Sequence, residues 1–483
     1  MIQKEQTKKL VVFYFALVLF LSLGFYYMLK KESYWFFALP LVLIVAYYYL
    51  VSLDKIVLLI TFLTPLAVTL NDSSLGAALS VPSEPLMFGV LVLFLGNLIL
   101  VGNYNRKVST HIIAYLIYFN LFWMFVTSMT SALPLVSFKH LLSRIWFVVP
   151  FFFVASPMFR VKKNIHKFLW LYILSLTIVI IYTLIRHSGY GFDEQAGHWV
   201  MTPFYNDHTA YGAALSMFIP VLAGYIFFPK LSSWQRITSL FFFVLFAVAL
   251  TFSYSRAAWL STAVALFVFL LVMLRIRFRW VATGTVLILV LAFSFQQQIF
   301  SKLEKNKQDS STSFVDHVKS MSNISSDPSN MERINRWASA IRMFEQRPLF
   351  GWGPGTYQFE YAPFQLASEM TQISTNLGDR GNAHSEYLGP LSEEGIPGLI
   401  SVLLLVGFAI KTGLDIHKKG NTELKFLSLM VTLGIIAYFF HGLMNDFLAT
   451  DKLSVPVWGF MAILVSLEVY HSKEVPAEVH QES

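Results

Sequence analysis

The chain has 483 residues, of which 56% are hydrophobic and only 13% charged, against about 25% charged in a soluble domain. A soluble core cannot hide that much apolar surface, and the absence of cysteine removes disulfide scaffolds, thiolate metal sites and cysteine nucleophiles. The formal charge of +8 does not point to nucleic acid, because the basic residues are scattered between apolar runs and form no clustered face.

Along the chain, apolar runs near 20 residues recur, and about 20 are what a helix needs to cross a bilayer. Hydropathy places spans at 10–29, 34–52, 56–70, 86–102, 110–129, 138–156, 165–185, 211–229, 236–253, 257–274, 280–295, 395–413, 424–440 and 454–470. Those at 56–70 and 138–156 have the weakest signal, and without them the count is 12 rather than 14. The first run is too long for a signal peptide, and Phe25-Tyr26-Tyr27-Met28 offers no small-residue cleavage site. The expected fold class is all-α, a polytopic membrane helical bundle of about 12 to 14 spans with a large, mostly helical outer loop.

Orientation follows from lysine and arginine, because short loops rich in them stay in the cytoplasm. With Lys4, Lys8 and Lys9 inside, the inner segments take Arg106, Lys107, Arg160, Lys162, Lys163, Lys230, Arg236, Arg275, Lys418 and Lys419 among 20 of the 36 basic residues. Seven fall in short outer segments, where Lys30 and Lys31 fit badly, and nine in one long outer loop whose charges count little. Both termini are therefore expected in the cytoplasm. The expected organisation is transmembrane helices over 1–295 with an outer loop at 186–210, a large outer loop at 296–394, further spans over 395–470 and a cytoplasmic tail at 471–483.

The outer segments carry the residues with chemistry. His198, Asp207 and His208 are metal-capable, but their spacing matches no tight ligand pattern. Arg256, in Ser253-Tyr254-Ser255-Arg256, sits at the outer boundary of two spans, where an arginine faces a polar cavity or an anion, or snorkels to the interface. Arg144, close to Lys139 and His140, lies at another outer boundary. In the long loop, Ser329 and Glu332 have the spacing of a capping box, which predicts a helix start. Ile334, Trp337, Ile341 and Phe344 then draw an apolar stripe, with Arg333, Arg336 and Arg342 off it. This predicts an amphipathic helix on the outer membrane surface, although the spacing alone also fits a solvated basic face with no ligand. Pro348 and the turn Gly351-Trp352-Gly353-Pro354-Gly355 end it, and that turn lacks the Gly-Lys-Ser/Thr of a phosphate loop. His384 precedes Glu393, Glu394 and the next span, and a boundary histidine suits general-base work near neutral pH or is a plain surface residue. His441, with Asn445 and Asp446, marks a further outer boundary suited to a polar acceptor. No Asp-x-Asp pair, phosphate loop or His-Glu-x-x-His is present.

Taken in order, Ser253-Tyr254-Ser255-Arg256, the loop with Arg333, Arg336 and Trp337, Pro348 to Gly355, and Asn382-Ala383-His384-Ser385-Glu386-Tyr387-Leu388 with Glu394-Gly395-Ile396-Pro397-Gly398 resemble the O-antigen ligase and polymerase superfamily of membrane lipid-linked glycan transferases, over roughly residues 200 to 450. The resemblance implies metal-independent, inverting glycosyl transfer at the periplasmic face of a bacterial inner membrane, with no cofactor. The donor would be a glycan on undecaprenyl pyrophosphate, and the acceptor lipid A core, another glycan or a protein. It makes His384 the base and gives pyrophosphate binding to Arg256 and Arg336, with Arg333 and Arg144, the choice between Arg333 and Arg336 staying open. Glu394, Asn382 and His441 take acceptor-binding or supporting roles. O-antigen ligase, acting on lipid A core, is preferred; O-antigen or exopolysaccharide polymerase and protein O-oligosaccharyltransferase share the motifs. A lipid-linked oligosaccharide flippase is the alternative of another class, and it calls for midplane charges and repeat symmetry that the sequence does not display.

Overall fold

A computed structural model describes residues 39–72, 77–102, 104–276, 328–371, 374–375 and 381–472, with five more between 22 and 30. Most of the expected span 10–29, all of 280–295, the first part of the large loop and the terminal tail beyond residue 472 lie outside the described residues, as does the start of span 34–52. Residues 1–56 and 57–483 are two compact units. The described part of the first is chiefly helix α1 (Leu39–Val51).

The chain is a multi-pass, all-α membrane protein. Among the described residues, ten helices are long and apolar enough to cross a membrane: α3 (Ser83–Val101), α4 (Ile112–Met129), α5 (Pro134–Met158), α6 (Lys162–Ser188), α7 (His208–Ile226), α8 (Ser233–Thr251), α9 (Arg256–Met273), α11 (Leu388–Lys419), α12 (Thr422–His441) and α13 (Asp451–His471). Each coincides with an expected span, 138–156 included. The run at 56–70 does not span. Its helix, α2 (Leu53–Leu63), is about 16 Å long at 1.5 Å per residue, half of what the hydrocarbon layer requires. Pro65 then enters a 3₁₀ turn, and the chain leaves as the antiparallel hairpin β1 (Val68–Asp72) and β2 (Ala77–Val81), Val68 facing Val81. Lys452 fastens that turn from inside the bundle, donating from Nζ to the carbonyls of Thr64 and Ala67 at 2.6 Å each.

The helices α7, α12 and α13 form the centre, with 78, 78 and 83% of their most apolar windows buried, whereas α3, α8 and α9 bury 22% and turn apolar faces outward. Small residues let the central helices approach: a methyl group at Gly434 would meet the Met217 carbonyl, and one at Gly224 would meet Met430. Alternation of the spans collects the connections 130–133, 189–207, 252–255 and 442–450, with the described residues of 347–371 and 381–387, at one end of the bundle. Contacts join them there, Ala132 N–H to the Trp352 carbonyl at 2.9 Å, Tyr254 hydroxyl to the Phe192 carbonyl at 2.7 Å, and Glu386 N–H to the Gly442 carbonyl at 2.8 Å. Arg106, Lys107, Arg160, Lys162, Lys163, Lys230, Arg236, Lys418 and Lys419 occupy the other end.

In the large loop, helix α10 (Pro328–Gln346) begins one residue before the expected cap. It buries Glu332, Asn335, Arg336, Ser339, Ala340 and Met343, and leaves Ile334 and Ile341 on the outside. The buried face joins these polar residues to Ala340 and Met343, which pack with Tyr357, Tyr361 and Phe364, while of the apolar stripe Ile334 and Ile341 face outward and Trp337 and Phe344 are half-buried. The turn that follows locks into α11. Ile396 N–H bonds the Pro348 carbonyl at 2.9 Å, Trp352 N–H the Ser392 carbonyl at 3.1 Å, and Gly353 N–H the Glu393 carbonyl at 2.7 Å. The Glu393 carboxylate accepts from the N–H groups of Gly355 at 2.9 Å and Tyr357 at 2.8 Å. Gly351 (φ +64°) and Gly395 (φ +71°) both stand in the left-handed region, and an added Cβ would lie 2.3 Å from the Glu393 carbonyl carbon and 2.2 Å from the Leu349 oxygen respectively.

Gly395→Ala is therefore expected to destabilise the loop by about 3 kcal/mol, joining a left-handed penalty to a backbone clash. Gly407→Ala in the same helix, where nothing lies within 4 Å, is the control. Thermal unfolding of the purified protein should fall for the first and not for the second; equal midpoints would contradict the lock.

Candidate active site

His384 is set by its neighbours rather than by regular structure. Its φ is +48°, a conformation that costs a non-glycine residue energy and persists only where surroundings impose it. Asn382 imposes it: its Oδ1 accepts from His384 N–H at 3.0 Å while its Nδ2 donates to the Asp446 carbonyl at 3.0 Å. Trp337 Nε1 donates to the His384 carbonyl at 3.3 Å. Glu386 then anchors the segment to the 442–450 connection, Oε1 accepting from the N–H groups of Phe447 at 2.8 Å and Leu448 at 2.9 Å and from the Tyr438 hydroxyl. Tyr387 adds a bond from its hydroxyl to the Phe439 carbonyl at 2.9 Å.

The imidazole is pushed down to about 4, first by burial and then by the Arg336 and Arg333 guanidiniums, against the opposite pull of Asp207 and Glu332. It is a neutral ring under positive charge. The two arginines differ. Arg336 is 6% exposed, and its Nε donates to Glu332 Oε1 at 2.8 Å, its Nη1 to the Asn382 carbonyl at 3.2 Å, and its guanidinium lies 5.6 Å from the Tyr361 ring centre. Burial raises Glu332, but bonds from Ser374 and Arg336 hold it below its usual value, so the pair is ionised. Arg336 is thus a fixed interior charge, not one lying open on a helix surface. Arg342 is likewise tied, to Glu369 at 2.6 Å and the Phe364 carbonyl at 2.7 Å. Arg333 is half-buried, and its charge reaches both His384 and His441.

The same corner contains residues from two other connections. Asp207 caps α7 and bonds His208 Nδ1 at 3.2 Å; His208 stacks on His198 with ring centres 4.2 Å apart. Thr209 Oγ1 lies 3.5 Å from Asn445, whose amide faces His441 Nδ1 at 3.5 Å. Stacking sets the two loop histidines face to face, and among the described residues no group of three or more His, Asp or Glu is arranged to hold a metal ion.

Arg144 and Glu394 belong to an adjacent buried nest. Arg144 follows Ser137 and His140, which touch the 353–355 turn, along α5, and its charge acts on Glu393, Glu394 and Asp446. Asp446 is held well above the usual carboxylate range by burial and by the facing Glu386 and Glu393 carboxylates, with Arg144 opposing. Glu394 is 4% exposed, and Trp123 Nε1 bonds its carbonyl at 2.7 Å. Arg256 opens α9, whose N-cap Ser255 packs against Gly212 of α7 and whose preceding Tyr254 packs against Gly197 of the 186–210 loop. The structure thus gathers His384, Arg333, Arg336, Asn382 and His441, sets Arg144 among Glu393, Glu394 and Asp446, and stations Arg256 at the same end of the bundle. The sequence does not assign Glu386 or Asp207 to this corner, since Glu386 lies inside the His384 motif and Asp207 has only metal-ligand chemistry there; Asp446 is read with His441 as a polar boundary, and its nearness to Glu386, Glu393 and Arg144 is what the fold adds.

Residues 241–403 match the family model described as O-antigen ligase, so the resemblance to the O-antigen ligase superfamily holds over that stretch. It includes Arg256, Arg333, Arg336, His384 and Glu394 but neither Arg144, Asp207 nor His441. An uncharacterized protein of Haemophilus influenzae is 25% identical over 121 residues, 25% of this chain, which spans 29% of that relative's length.

Since positive charge disfavours the imidazolium, Arg333→Gln should raise the His384 pKa from about 4. Histidine proton resonances followed through an acid titration measure it; an unmoved or lowered value would place Arg333 elsewhere.

Proposed function

We propose that the chain transfers a glycan from undecaprenyl pyrophosphate to an acceptor hydroxyl, inverting the anomeric centre and using no metal, at the periplasmic face of a bacterial inner membrane. The observation that supports it is a half-buried neutral imidazole, His384, under the charge of two guanidiniums at the loop-bearing end of a membrane bundle. The opposite end, rich in short-loop lysine and arginine, is assigned to the cytoplasm together with both termini.

In this reading the acceptor oxygen attacks the anomeric carbon as its proton passes to the His384 ring. The carbon–oxygen bond to the pyrophosphate breaks and its electron pair leaves on the phosphate oxygen. A single displacement inverts the centre. Arg333 and Arg256 are assigned to the pyrophosphate, where guanidinium forks match phosphate oxygens, and fixed positive charge at the developing anion serves as a metal ion would. Arg336 contributes its charge from behind Glu332, and Arg144 balances the carboxylates below. Asn382 holds the base, and Glu394 supports the turn. A cavity of about 300 Å³ lined by Thr130, Arg347, Pro348, Leu349, Phe350 and Gly351 opens beside the lock and offers the lipid tail an apolar approach from α4. Lipid A core is the favoured acceptor; polymerisation onto another lipid-linked repeat and transfer to protein would use the same groups.

The test is transfer by the purified protein from a synthetic lipid-pyrophosphate glycan in EDTA, each acceptor offered separately. His384→Ala should lower turnover about 10²- to 10⁴-fold, the range of a general base, while donor binding persists. One discrete product on lipid A core means ligase and a ladder means polymerase. Activity lost in EDTA and restored by Mg²⁺, or full activity in His384→Ala, would overturn the mechanism.

A further inference from the structure

Thr209 has one hydroxyl proton, and it is committed. Oγ1 donates to Asp207 Oδ2 at 2.6 Å, while the same carboxylate accepts from Thr209 N–H at 2.8 Å and bonds His208 at 3.2 Å. Burial raises Asp207, but the bonds to His208 and Thr209 hold it well below the usual carboxylate range, so it is an ionised acceptor. At its second contact, 3.5 Å from Asn445, the threonine oxygen can therefore only accept. The two ends of an asparagine amide have the same shape and are oriented by proton count. The Asn445 amide stands with Oδ1 toward Thr209 and Nδ2 toward His441 Nδ1, each at 3.5 Å; because the Thr209 proton is taken by Asp207, we turn the amide over, so that its NH₂ meets Thr209 and its oxygen faces Nδ1. That oxygen requires Nδ1 to carry the hydrogen.

In a neutral ring this leaves Nε2 with a lone pair. His441 is fully buried, and Nε2 has no hydrogen-bond partner. The charges of Arg333 and Asp207 reach both His441 and His384, so both imidazoles border one corner. A buried acceptor without a donor is costly, and a phosphate oxygen, itself an acceptor, does not relieve it. A hydroxyl does.

We propose that Asp207, through Thr209 and Asn445, is a positioning residue that fixes the His441 tautomer, and that His441 Nε2 accepts a hydrogen bond from a hydroxyl of the acceptor saccharide. The inference rests on the glycosyl-transfer reading for its ligand, and it assigns His441 to acceptor rather than donor.

Two measurements on the full-length protein in lipid nanodiscs test it. Nitrogen NMR of labelled histidine, with His441 assigned by difference against His441→Gln, should show a hydrogen on Nδ1 and a lone pair on Nε2. Steady-state kinetics with a lipid-pyrophosphate glycan and a saccharide acceptor should show the acceptor KM raised about tenfold by Asp207→Asn, the size expected for one lost hydrogen bond, with smaller changes in donor KM and kcat. Thr209→Val is the second variant, removing the relay hydroxyl without a change of charge, and should raise the acceptor KM likewise. A hydrogen on Nε2 in the wild type overturns the proposal, as does a rise in donor KM in place of acceptor KM. If the wild type transfers to no acceptor, the glycosyl-transfer reading fails by itself, and the NMR result still decides the tautomer.

Discussion

Glu393 binds two backbone N–H groups of a turn nearly forty residues earlier in the chain, and the loop-bearing end depends on that contact. A carboxylate accepting from backbone amides makes charge-assisted bonds, about twice as strong as neutral ones. Here it also decides where α11 begins. The kink at Gly395 offsets the first turns of α11 from the rest, and those turns follow directly on the His384 segment. Without the two left-handed glycines the turn and the helix could not come within hydrogen-bonding distance, so the position of the imidazole traces back to two residues with no side chain.

Charge is sorted around this lock into two neighbouring groups. One is cationic, with Arg333 and Arg336 around a neutral His384; the other is anionic, with Glu386, Glu393, Glu394 and Asp446 around Arg144. Burying four carboxylates as ions would cost more than a single guanidinium returns. The protein answers with a raised Asp446 and with backbone amides on Glu386 and Glu393. The anionic group is held largely by backbone amides and Arg336 by its buried pair with Glu332 and the Asn382 carbonyl, which together fix the field at His384.

How far the sequence discloses this depends on the range of each interaction. Spans are local, and ten of them read directly from hydropathy. The run at 56–70 misleads because its last residues, the β-branched Val68 and Thr69 with Leu70, are extended rather than helical, and Pro65 stops α2 first. Glu332 has capping-box spacing from Ser329, yet it also stands four residues before Arg336, and the buried ion pair is what the fold makes of it. The Gly-rich turn announces a turn; that its amides serve Glu393 is a long-range fact. For the same reason His384 is visible as a boundary histidine in a family-like motif, whereas Asp207 and Asp446 enter its surroundings only through tertiary packing. The signal that could have found Glu386 is its place two residues from His384 in a motif where a buried carboxylate needs several donors.

A base whose conjugate acid ionises near 4 is weak, and on the proposed chemistry that weakness has a use. The shift comes from burial and from Arg336 and Arg333. A bound pyrophosphate brings negative charge to those same arginines and cancels part of the field they exert on the ring. The imidazole then becomes more basic as the donor arrives, approaching the range in which proton transfer is most effective. Before donor binding, the ring is neutral but too weak to activate a hydroxyl or water. Reactivity is thus confined to the state in which a leaving group is present, and Asn382, by holding His384 in a left-handed conformation, keeps the ring where that field is felt.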